Sequence, residues 1–199
     1  MTTTPFDIKG IGHNQGPPLN LAGSWAGYCW TRARREVWDS PPIEVVRSRK
    51  RRADELGLSY RQYAGVLLDK GTRTEALVID FTRLETVLHS APLEGVANKL
   101  RRVRNCKVFA AVESVNFVID EINRLAGNVI TDCAEYPRVD AGRPALEETL
   151  GPVLDMLSRN VVAPAAAIMI GDGRRALSIA SSARLARVFP YGAYFGRAF

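Results

Sequence analysis

The stretch AAAIMIGDGRR (165–175) decides the fold. Small and branched apolar residues run to Ile170, break at Gly171-Asp172-Gly173, and give way to a helical pattern. A buried strand, a tight turn and a helix N-terminus leave that trace. In an open α/β sheet, ligands sit in the crevice beyond the carboxyl ends of the strands, so Asp172 is expected where chemistry is done. A second apolar run, Ala76-Leu77-Val78-Ile79, also ends in an acid, Asp80. Two buried strands that each deliver a carboxylate to one sheet edge outline a cation site.

Outward from these runs, the chain after Thr74 alternates strand and helix. The expected strands are ALVID (76–80), KVFAAVE (107–113), NVITD (128–132), residues 165–171 and RVFPY (187–191). Between them, apolar residues recur at helical spacing. Leu84, Val87 and Leu88 mark one turn, and Leu93, Val96, Leu100 and Val103 mark the next. Val118, Ile122 and Leu125 define a helix closed by Gly127. Leu146, Leu150, Val153, Leu154 and Leu157 form a further stripe, in which Pro152 is expected to kink or split the helix. The alternation predicts an α/β domain over 75–195: a mostly parallel sheet with helices on both faces.

Upstream, residues 1–23 show no period and read as a flexible tail, or as a short docking peptide with Ile11 and Leu19 as apolar handles. Residues 24–72 read as a small basic helical module of three helices, over 24–38, 42–56 and from Tyr60 to about Asp69. Ser59 with Gln62 forms a capping box at the start of the third. In the second, Ile43, Val46, Ala53 and Leu56 are expected inward, and Arg47, Arg49, Lys50, Arg51 and Arg52 in the basic stretch that faces out. RRADELGLSYRQYAGVLL (51–68) resembles a helix-turn-helix, with Arg61 at the head of the recognition helix. An ordinary corner between two helices has the same pattern.

With 46% apolar residues, a sizeable core is expected. The net charge of +6, with most of the basic residues arginine, points to a polyanionic partner; a solvated basic surface is the plainer reading. Besides the 47–52 stretch, Lys99, Arg101, Arg102 and Arg104 form a second basic cluster. Three cysteines in no C-x-x-C pair argue for a reducing compartment, and two histidines are too few for a histidine metal centre. The N-terminus lacks the order of a signal peptide, and the longest apolar run falls short of the roughly 20 residues a bilayer needs. The expectation is a soluble, cytoplasmic protein without membrane contact.

Four expected strand ends carry acids: Asp80, Glu113, Asp132 and Asp172, with Asp140 in the loop after the third strand. Converging carboxylates need a cation, and Mg²⁺ or Mn²⁺ is the one that such donors take. Acids after strands also cap helices or pair with arginine.

The order of these residues resembles the NYN branch of the PIN-like nucleases. ALVIDFTRL matches an opening strand that ends in Asp, with Arg83 where the family has Asn. Val139-Asp140 matches a later Val-Asp pair. AIMIGDGRR matches a final strand into Gly-Asp-x-Asp, with Arg174 in place of the second Asp. The resemblance covers about 75–191 and implies a metal-dependent ribonuclease in which Asp80, Asp140 and Asp172 hold the ion. Two arginines in place of metal-site groups imply weakened metal binding, or a site that holds phosphate without cutting. Arg83, Arg174 and Arg175 would then contact phosphate, on RNA in preference to DNA.

The chain is also similar to the haloacid-dehalogenase-like phosphohydrolases. VIDFT offers a nucleophile at Asp80, Ser114 follows the second strand, and GDG matches the metal loop. Thr82 stands where that family has its general acid. A third reading is a non-enzymatic structural or interaction protein, as a homo-oligomer or in a larger complex.

Overall fold

The computed structural model describes residues 28, 29, 32, 41–81, 93–113, 117–136 and 146–196. The chain divides into two compact units, 1–47 and 48–199. In the first, Tyr28, Cys29 and Arg32 are helical, the described part of the helix expected over 24–38. Helix α1 (Ile43–Glu55) begins in this unit, where Arg47 pairs with Glu44 at 2.7 Å. Ile43, expected inward, is 61% exposed. The tail at 1–23 lies outside the described residues.

The second unit holds the rest of α1, then α2 (Tyr60–Lys70), β1 (Ala76–Asp80), α3 (Leu93–Arg101), β2 (Lys107–Val112), α4 (Phe117–Ala126), β3 (Ile130–Glu135), α5 (Leu146–Arg159), β4 (Ala167–Ile170), α6 (Gly173–Ser182), β5 (Arg187–Phe189) and α7 (Tyr191–Phe195). The fold is α/β. The five strands form one all-parallel sheet in the order β3-β2-β1-β4-β5. Alternation along each strand splits the core into two layers, because successive side chains point to opposite faces. Leu77, Ile79, Val108, Ala110, Ile168 and Ile170 join one cluster, with residues of α1 to α4 and α7. Val78, Phe109, Ala111, Ala167 and Met169 join the other, with α5 and α6. Helices therefore cover both faces. Among the described residues no helix is long and apolar enough to cross a membrane.

The boundary expected between a helical module and the sheet, near residues 72–75, does not coincide with the division of the chain. Ala53, Leu56, Tyr63 and Val66 pack in the same core cluster as Leu77 and Ile79. The apolar faces of α1 and α2 are spent on the sheet, which makes them a layer of the α/β unit. Arg52 follows from this. Expected on a solvated basic face, it is only 7% exposed. Its guanidinium donates to Glu55 at 2.6 Å and to the carbonyls of Thr74, Asn105 and Arg104 at 2.7, 3.0 and 3.3 Å. Five donors in a rigid fork suit such a clamp, and it is unavailable to a nucleic acid. The same bond holds the Glu55 carboxyl below its ordinary range.

Local signals hold where they are strongest. Ser59 and Gln62 make the capping box in full, and Gly71 ends α2 in the left-handed conformation at φ 67°. The third strand lies further along than expected. Gly127 (φ 83°) and Asn128 (φ 54°) close α4. The Asn123 side chain then bonds the amide and carbonyl of Ile130, so pairing starts there and runs to Glu135. Pro152 sits inside a single 14-residue helix and does not split it.

Candidate active-site crevice at the carboxyl edge of the sheet

Strand order reverses between β1 and β4, the point at which an open α/β sheet leaves a crevice for ligand. Ile79 pairs with Ile170, so Asp80 stands level with Gly171 on the adjacent strand. A Cβ on Gly171 would lie 2.9 Å from Asp80 Cβ and 3.1 Å from Ala176 Cβ. Only a glycine allows β1, β4 and the first turn of α6 to meet that closely. The same absent Cβ would stand 3.6 Å from Asp80 Oδ2, so the carboxylate leans over the turn that carries Asp172.

Both acids are tied to the start of α7. The Tyr191 hydroxyl donates to the Asp80 carbonyl, and the Tyr191 amide donates to Asp172 Oδ1 at 3.3 Å. Asp172 occupies the N-cap position of α6 without a side-chain cap bond. Its carboxylate is turned toward α7 and away from the helix it precedes. Asp80 is 1% exposed and Asp172 half-buried.

Three more groups complete the edge. Glu113, directly after β2, accepts from Arg175 at 2.5 Å. Arg175, in the first turn of α6, lies 5.4 Å from the ring centroid of Tyr136, directly after β3. Tyr136 is 2% exposed, and among the described residues its hydroxyl meets no hydrogen-bond partner. Burial pushes its phenol well up, and the charge of Asp80 pushes in the same direction.

Of the three aspartates expected to share an ion, Asp80 and Asp172 stand at the same edge of the sheet, on adjacent strands, and Asp140 lies outside the described residues, as do Thr82, Arg83 and Ser114. Among the described residues no three acidic, histidine or cysteine side chains form a ligand cluster. Asp132 is not at this edge. It sits within β3, bonded by Arg159 at 3.2 Å and by Asn160 at 2.6 Å. Burial raises its carboxyl, but Asn160, the Cys133 amide and Arg159 outweigh that and hold it below the ordinary range.

Most of the expected nucleic-acid contacts lie at the surface. Lys50, Arg51, Arg61, Arg101, Arg102 and Arg174 are exposed, and Arg49 is half-buried. Arg101 donates to the Leu125 carbonyl. Lys99 packs over the Tyr194 ring at 5.1 Å, and burial, then Arg102, lowers its pKa. Gln62, at the head of the would-be recognition helix, is committed to Ser59 and to the Ala193 carbonyl.

Tyr136 and Tyr191 are the groups that sequence reasoning missed. Reading β3 through to Glu135 would have placed Tyr136 at the carboxyl edge; Tyr191, expected as the last residue of the fifth strand, instead opens α7 after β5 ends at Phe189.

No protein-family model matches this sequence, and no curated protein matches it. Among solved structures the chain is similar to a HAD-superfamily hydrolase, subfamily IA, variant 1, from Geobacter sulfurreducens, with a TM-score of 0.35 and 13% identity over 58% of this chain and 91% of that one. The fold stands on the sheet's own order and register.

Proposed function

We propose that this crevice takes a phosphate ester and that the chain is a phosphohydrolase of the haloacid-dehalogenase-like kind. One observation carries the reading: a buried aspartate ends the central strand, and its carboxylate lies over a glycine turn bearing a second aspartate. Attack by Asp80 on phosphorus forms an acyl phosphate as the P–O ester bond breaks and the leaving group departs as its oxyanion; water then releases phosphate and restores the carboxylate. Two carboxylates are the hard oxygen donors that Mg²⁺ takes, since it is held by one or two carboxylates and completes its shell with water and phosphate. Asp80 and Asp172 would hold such an ion, which when bound offsets phosphate charge. Thr82 cannot supply a proton to the leaving group at neutral pH. The reading therefore favours esters whose leaving groups need none, such as aryl phosphates.

The test is turnover of p-nitrophenyl phosphate with Mg²⁺. Asp80→Asn abolishes turnover, and Asp172→Asn lowers it about 100-fold or more. Turnover unaffected by Asp80→Asn rejects the assignment.

The exposed Arg51, Arg61, Arg101, Arg102 and Arg174, with the net charge of +6, favour a second reading. There the same sheet edge, with Asp80 and Asp172, cuts RNA. Mg²⁺-dependent cleavage of a labelled RNA pool, lost in Asp172→Asn, with no phosphomonoester turnover, would select it.

A further inference from the structure

The Tyr136 hydroxyl adds nothing to the packing of the fold. A phenylalanine would fill the same space in the α5–α6 layer without burying a donor that meets no partner among the described residues. A buried donor left without an acceptor is a cost, and native proteins keep such groups for a reason. Its surroundings indicate one. The Arg175 guanidinium lies over the ring at 5.4 Å, and Glu113 holds that guanidinium at 2.5 Å. A hydroxyl donor and a guanidinium thus stand together at the carboxyl edge of the sheet whose central strand ends in Asp80.

We propose that Tyr136 is a ligand-binding residue of this crevice, its O–H donating to an oxyanion of the bound phosphate, with Arg175 as the adjacent positive charge. The assignment rests on the phosphate-ester reading above. An oxyanion there gives the hydroxyl its missing acceptor and competes with Glu113 for Arg175.

The test is calorimetric titration of the full chain with inorganic phosphate in the presence of Mg²⁺, for wild type and Tyr136→Phe, alongside thermal unfolding without phosphate. Tyr136→Phe is expected to weaken phosphate binding about five- to tenfold while the ligand-free Tm stays level or rises. Equal affinity in the two proteins overturns the assignment. So does a ligand-free Tm lowered by several degrees, which would reveal a structural partner for the hydroxyl. If turnover requires Asp80 yet Tyr136→Phe binds phosphate unchanged, only the Tyr136 assignment falls. A wild type that neither binds phosphate nor turns over the ester removes both.

Discussion

At Gly171 a single hydrogen occupies the space where any other residue would set a methyl 2.9 Å from Asp80 Cβ. Neither neighbour can swing aside, because both atoms are fixed to their backbones. Gly171→Ala is expected to destabilise the protein by about 1–3 kcal/mol, the usual cost of forcing volume into a close-packed core. Denaturant unfolding measures it, and an unchanged midpoint would show that β1 and α6 separate easily. The Gly-Asp pair was legible in the sequence as a turn at a strand end. The reason for the glycine was not, since it lies in a strand 91 residues earlier by numbering. Arg52 shows the same limit from the other side. A run of arginines reads as one charged face, yet the carbonyls that recruit one of them come from Thr74, Arg104 and Asn105.

The elements themselves were mostly legible. Caps are local, so Ser59, Gln62 and Gly71 announced α2 correctly. Ser59→Ala removes the acceptor for the Gln62 amide and is expected to cost about 1 kcal/mol, read as a shift in the denaturation midpoint. A midpoint unmoved would mean that the Gln62 contact with Ala193 alone holds this end. The third strand was misread because its edge depends on pairing. Its pattern, Ile130 buried and Asp132 half-buried, is not a continuous apolar run. An acid in the middle of such a segment looks like its end. Arg159 and Asn160, at the far end of α5, supply the partners that let Asp132 remain inside the strand.

Across the whole molecule, a parallel sheet with two helical layers could be inferred from rhythm alone, but not the strand order that brings Asp80 beside Gly171. Assembly at this scale also buries acids that ionise only in alkali. Partial burial pushes the thiol of the half-buried Cys106 up to about 12 from an ordinary 9.0, and full or near-full burial raises the Tyr63, Tyr136 and Tyr194 phenols. The folded protein then keeps protons that the unfolded chain surrenders, so stability present below pH 9 is lost as pH climbs toward 12. Melting followed by circular dichroism is expected to show Tm falling steeply over that interval, and less steeply for Cys106→Ala. A flat profile contradicts the burial of these groups.

β1 lies between β2 and β4, with all five of its residues buried on both faces. Its amides have no route to solvent short of opening the entire domain, so deuterium should enter Ala76–Asp80 last, at the rate set by global unfolding. The acid at its tip is then mounted on a segment expected to open as slowly as the domain itself, so any ligand for it would have to arrive from the loop side and not by fraying of the strand beneath.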